Sequence, residues 1–458
     1  MNPSTAPRRR RRVLEVHLVA RIGCLAPVAA LVTVVVSATP AAALTAEDID
    51  RATVFTSLGL QNVVERLASD DLDGRNNDTS GSARAQRYLI AQLRRIGPGL
   101  DASREGDDAY RQPFTEGSVR GTNLLAVIRG RELPDEYVIV GAHYDHLGRR
   151  CPSSPSGNVC NGATDNATGT AEVIAVGNAL RRLPEPPRRS VVLALWDAEE
   201  DGLVGSRQYV LHPIVPLDRT AAYVNFDIQG ADLLPSLAQT SFALSAETGG
   251  ADLQRVVADA IAAEGLGTRL LSYIFGQLRS DYANFVAASV PTVFFSDSTG
   301  ACYHKTGDDA ALVDYPKLRA QSRISFRVVA SLAESRERPQ FVAPNPAFAT
   351  FDDAIVLREV IGTGLTDLHV LPPADRARVV AIQAAVQAIV DAGPAAFDTA
   401  DVQTLINAAL DTIDLLTAME CPGRPPRRRA LPTLADALGG VPAAPDAAGA
   451  AGRARVAG

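Results

Sequence analysis

The sequence predicts an α/β fold: a three-layer α/β/α sandwich on a central mixed, mostly parallel sheet, with a C-terminal helical extension. Three observations carry this. Short apolar runs such as NLLAVI (123–128), YVIVGA (137–142) and VVLALW (191–196) read as strands buried on both faces. Stretches with helical spacing separate them. The runs stop abruptly in His143, in Asp197 to Glu200 and in Asp227, and the carboxyl ends of strands in an open α/β sheet face the ligand crevice.

At 458 residues, 46% of them hydrophobic, the chain has ample material for a large core. Residues 1–44 read as an export signal: five arginines (Arg8 to Arg12), an apolar stretch from Leu25 to Val36, then Ala41 to Ala43. That apolar stretch is short for a membrane span, so the expected location is secreted or periplasmic, with no stable membrane association after cleavage. Cleavage removes six arginines and Glu15, which takes the formal charge from −7 to −12. A body that acidic argues against nucleic acid as a partner.

Residues 45–338 form the predicted catalytic domain. Thr45 to Ala68 reads as one helix or two, with Thr45 and Asp48 as a capping signal. DDLDGRNNDTSGS (70–82) reads as a loop, and helical spacing resumes from Ala83 to Ile96, where Gly97 and Pro98 end it. Strands are then expected at 123–128, 137–142, 191–196, 221–226, 240–244 and 292–295. Helices are expected at 171–183, near 205, and at 252–264, 281–288 and 315–334. Beyond Pro339 the composition changes: 339–421 is a helical segment of two or three Ala-rich amphipathic helices, and 422–458 is a tail with little to bury.

Without the leader, four cysteines remain. Cys151 and Cys160 bracket CPSSPSGNVC, a short loop that costs little entropy to close, and Cys302 with Cys421 follows by elimination.

Five positions offer metal-ligating side chains at strand exits or in adjoining loops: His143, Asp165, Glu200, Asp227 and His304. Two imidazoles and three carboxylates suit zinc and are too rich in nitrogen for calcium. Five ligands exceed the need of one catalytic zinc; a bridging carboxylate divides them into two three-ligand sites sharing a water. Asp145, two residues beyond His143, can accept the other imidazole N–H. Glu199 remains unligated beside that water, which makes it the expected general base.

GAHYDH, NGATDNATG, WDAEEDGLVGS, NFDIQGAD, SDYANF, SVPTVFF and ACYHKTGDD, in this order, closely resemble the di-zinc exopeptidases of peptidase family M28, typified by bacterial secreted aminopeptidases. The resemblance spans Glu65 to Glu334. It implies His143 and Asp227 on one zinc, Glu200 and His304 on the other, Asp165 bridging both, Glu199 as general base and Asp145 behind the first histidine. It also implies Tyr303 as a stabiliser of the oxyanion and a cis peptide between Asp165 and Asn166. Thr164, Tyr282, Ser289 and Val290 depart from the family pattern; none is a ligand, but Tyr282 stands where a histidine is common, so substrate preference is not carried over.

The expectation is an exported aminopeptidase holding two Zn2+ ions and acting on peptides with a free N-terminus. Alternatives on the same fold are a glutaminyl cyclase-like enzyme and a dipeptidase or carboxypeptidase. A binding module that keeps only the shell of a peptidase is disfavoured, because all five ligands and the base are present.

Overall fold

The computed structural model describes residues 45–52, 57–152, 157–345 and 349–421. The expected export signal (1–44) and tail (422–458) lie outside the described residues. Eight strands form one sheet: β1 (Arg111–Glu116), β2 (Val119–Ile128), β3 (Leu133–His143), β4 (Arg189–Trp196), β5 (Thr220–Phe226), β6 (Thr240–Leu244), β7 (Gly267–Leu271) and β8 (Thr292–Ser296). Their spatial order is β1-β2-β4-β3-β5-β8-β6-β7. The four central strands β4, β3, β5 and β8 run parallel. β2 pairs antiparallel with β4, and β6 antiparallel with β8. The sheet is therefore mixed and mostly parallel, as the sequence predicts.

The helices are α1 (Ala46–Ala52), α2 (Ser57–Leu67), α3 (Ser80–Ile96), α4 (Thr168–Leu180), α5 (Val204–Leu211), α6 (Gly250–Ala262), α7 (Tyr282–Ala287), α8 (Tyr315–Glu334), α9 (Phe351–Gly364), α10 (Pro373–Ala392) and α11 (Thr399–Ala418). Side chains alternate across a strand, so each central strand feeds two cores. In β4, Val191, Leu193 and Leu195 join the core beneath α2, α3, α4, α6 and α8. Val192, Ala194 and Trp196 join the opposite core with Tyr209, Phe285 and the apolar faces of α9, α10 and α11. That second core includes Leu357, Val386, Leu405 and Leu416, so the C-terminal helices are packed onto the sheet rather than tethered beside it.

Local signals set the helix ends. Thr79 caps α3 by accepting from the Ser82 amide, which starts that helix three residues before the apolar spacing becomes visible. Capping boxes open α9 (Thr350 with Asp353) and α11 (Asp398 with Asp401). The remaining cysteines pair as expected, Cys151 with Cys160 and Cys302 with Cys421. Among the described residues no helix is long and apolar enough to cross a membrane.

Candidate metal centre

Because β3, β4, β5 and β8 are parallel, their carboxyl ends lie along one edge of the sheet, and most of the predicted site residues are delivered there. His143 is the last residue of β3, Glu199 and Glu200 follow β4, and Asp227 follows β5. Asp165 precedes α4 and His304 lies beyond β8. Positive φ angles at Ala198 (56°), Ile228 (59°) and His304 (54°) turn the chain at or beside three of these side chains. Ile228 is β-branched, for which this conformation is a genuine outlier, and such outliers concentrate at functional sites.

The donors fall into two abutting groups. His143 Nε2 lies 3.3 Å from Asp165 Oδ1 and 3.3 Å from Asp227 Oδ1. His304 Nε2 lies 3.3 Å from Asp165 Oδ2 and 3.1 Å from Glu200 Oε2. The two oxygens of Asp165 thus face different histidines. Zinc bonds of about 2.0–2.2 Å in a tetrahedron imply ligand-to-ligand edges of about 3.3 Å, so both groups have the spacing of a zinc shell. The peptide bond between Asp165 and Asn166 is cis.

Glu199 and Asp145 sit just outside these groups. Glu199 Oε2 is 4.0 Å from His143 Nε2. Asp145 is fully buried, and its carboxylate accepts the backbone N–H groups of Glu199 (3.1 Å) and Glu200 (3.3 Å). His143 Nδ1 is 3.6 Å from that carboxylate and 3.3 Å from the Asp145 carbonyl oxygen. Asp145 therefore positions both glutamates as well as lying behind His143. Tyr303 stacks on the His304 ring at 3.8 Å between centroids, and the Arg279 guanidinium lies 5.6 Å over the Tyr303 ring.

Several contributors escaped the sequence reading. His146 is wholly buried, and its Nδ1 lies 2.6 Å from Glu200 Oε1. With Asp165 and Glu200 it forms a further three-donor group. Gly162, at φ +55°, lets the chain pass against this ring, since a Cβ there would fall 2.4 Å from His146 Cγ. Asp308 accepts from the Thr164 amide (2.9 Å), the Thr164 hydroxyl (2.9 Å) and the Asp165 amide (3.1 Å), which fixes the loop carrying Asp165. Arg75, fully buried, donates to the carbonyls of Tyr144 (2.7 Å), Leu67 (3.1 Å), Gly162 (2.6 Å), Asp165 (3.4 Å) and Asn161. His146 and Asp308 both lie within the motifs read from the sequence. Arg75 sits in a polar stretch whose composition says only loop.

Electrostatics set the charge states. Burial pushes the Glu199 carboxyl well above the ordinary carboxylate range, against the pull of His143. Burial raises Asp281 to about 7 and Asp197, with Asp145 nearby, to about 8. Burial and Asp165 push Glu200 up, but His146 and His304 outweigh them and hold it at about 2. Burial opposes the charged form of His304, yet hydrogen bonds to Asp165 and Glu200 bring it to about 10. So many enclosed carboxylates around three imidazoles and one guanidinium call for further positive charge, and divalent cations between the donor groups would supply it.

Residues 123–329 match the model described as peptidase family M28. Residues 123–329 are a peptidase family M28 region. Among curated relatives of this M28 protein, leupeptin-inactivating enzyme 1 of Streptomyces exfoliatus is 30% identical over 284 residues, 60% of this chain and 57% of that one. Aminopeptidase NAALADL1 of Mus musculus is 37% identical over 112 residues, 23% of this chain and 13% of the relative. The M28 chain thus spans less than two thirds of either relative. The LapA aminopeptidase of Legionella pneumophila shares the fold, with a TM-score of 0.51 and 18% identity over 64% of this chain and 75% of that one.

Proposed function

We propose that this M28 chain is an exported aminopeptidase that holds two zinc ions and removes the N-terminal residue of peptides. Residues 45–338 are its catalytic body on this reading. The observation that carries the proposal is the shared carboxylate: Asp165 offers one oxygen to the His143 and Asp227 group and the other to the Glu200 and His304 group. When bound there, zinc would supply Lewis acidity and lower the pKa of water.

The chain's own residues do the rest. Glu199 lies beside the His143 group without belonging to it, its Oε2 4.0 Å from His143 Nε2. It is therefore suited to take a proton from the attacking water and return it to the leaving amine. The Tyr303 hydroxyl, which burial keeps protonated, donates to the oxygen that gains charge on the carbonyl. The carboxylates attract the cationic α-amine of a free N-terminus, which favours exopeptidase cleavage over internal cleavage.

Glu199→Gln tests this reading. The variant is expected to retain the metal content of the wild type and lose roughly 10²–10⁴-fold in kcat on aminoacyl p-nitroanilides. Chelation is expected to inactivate the wild type and added zinc to restore it. Full turnover in Glu199→Gln would remove the general-base assignment, and activity that survives complete demetallation would remove the metallopeptidase reading. Export is tested separately, by sequencing the N-terminus of the secreted protein, which is expected to begin near Leu44.

A further inference from the structure

The metal centre opens into a cavity of about 170 Å³ that reaches from Glu199 and Asp227 to the C-terminal helices. One wall comes from the sheet, through side chains such as Phe242 and Phe294. The opposite wall comes from α9, α10 and α11, through residues including Leu357, Ile361, Ile413 and Leu416. No residue on the helical wall is charged. The charged lining is confined to the metal-site residues and Arg279.

The helical wall lies wholly outside the stretch 123–329 that matches the family model. It is nonetheless joined to the metal centre. The Cys302–Cys421 disulfide ties the end of α11 to the loop bearing Tyr303 and His304. From the same loop, Lys305 Nζ donates to the carbonyls of Thr417 (2.8 Å) and Met419 (2.9 Å). Wall and ligand loop are therefore held in one register.

We infer that α9–α11 are the specificity element of this enzyme, forming the apolar pocket for the side chain of the substrate's N-terminal residue and selecting leucine- or phenylalanine-sized groups over small or charged ones. The inference rests on the aminopeptidase reading. Size supports it: an apolar cavity of roughly 150 Å³ accommodates benzene, so a phenyl or isobutyl group fits here. Chemistry supports it as well, because a charged side chain placed against α9–α11 would lose its hydration and gain no partner.

The experiment compares kcat/KM for leucyl, phenylalanyl, alanyl and glutamyl p-nitroanilides in the wild type, Ile413→Trp and Ala409→Leu. It is paired with calorimetric titration of L-phenylalanine and L-alanine, and folding of each variant is checked by thermal melting. The wild type is expected to favour the leucyl and phenylalanyl substrates. Filling the pocket is expected to lower the phenylalanyl-to-alanyl ratio tenfold or more, the discrimination that small changes in an apolar pocket produce. Ala409→Leu keeps the test open if the tryptophan variant does not fold. A wild type that prefers alanyl or glutamyl substrates, or folded variants with an unchanged ratio, would overturn the inference. If no aminoacyl substrate is cleaved but phenylalanine binds and Ile413→Trp weakens it, the pocket stands and the aminopeptidase reading falls. Failure of phenylalanine to bind the wild type more tightly than alanine removes the pocket.

Discussion

At His146 an imidazole is enclosed completely, and its Nδ1 lies 2.6 Å from Glu200 Oε1. Among the described residues, neither ring nitrogen nor that oxygen has an aligned hydrogen-bond partner. Polar atoms so deeply buried are costly unless something else occupies their lone pairs, and Asp165 lies within reach to share it. An imidazole in this position would hold Glu200 toward the second of the two proposed cations. His146→Ala is therefore expected to weaken that cation's binding roughly 10–100-fold while sparing the cation at His143 and Asp227. Competition titration against a zinc-binding dye resolves the two sites, and unchanged occupancy of both would remove His146 from the centre. Three of the five expected ligands, His143, Glu200 and Asp227, are legible in the sequence because each lies at or just past the end of a buried strand, and a strand announces its own end. His146 lies in GAHYDH, but its role is not legible there, since its partner Glu200 is brought close only by the neighbouring strand.

Between elements, the contact of α4 with α8 carries a buried acid. Glu172 accepts from the Ser322 hydroxyl at 3.2 Å, and its other carboxylate oxygen has no hydrogen-bond partner among the described residues. Burial holds this carboxyl well above the ordinary range, and Asp297 pushes in the same direction. Above about pH 4.5 the unfolded chain releases this proton while the folded chain keeps it, so stability falls as pH rises toward the folded-state value. Glu172→Gln removes that dependence. Urea denaturation is expected to show little difference from the wild type near pH 4.5 and a gain in stability for the variant that grows as the pH is raised to 8. A difference that stays constant with pH would contradict the assignment. The same scale shows where the sequence was silent about the fold. β1 and β7 are the sheet's two edges, and their sequences, RQPFTE and GTRLL, bury only one or two residues each and include Pro113. An edge strand needs no continuous apolar run and tolerates proline, so neither left a periodic mark. The buried central strands did, and β6 runs from Thr240 to Leu244 as read.

Across the whole molecule, the two disulfides close very different loops, with sequence separations of 9 and 119. Chain-entropy reckoning gives about 2.6 kcal/mol for the short loop and about 5 kcal/mol for the long one. Replacing Cys302 and Cys421 by serine is therefore expected to lower unfolding free energy roughly twice as much as replacing Cys151 and Cys160, as read from chemical denaturation. The reverse order would show that α9–α11 stay docked without their covalent tie. The guanidinium of Arg75 bears on the molecule's boundaries in another way. It stands 48 positions ahead of the stretch that defines the family, yet it is the shared donor for carbonyls of the segments that carry Asp145 and Asp165. A fragment trimmed to the recognisable motifs would keep every proposed metal ligand and leave those oxygens facing an empty socket. The stretch that matches the family is thus smaller than the packed unit that braces its site.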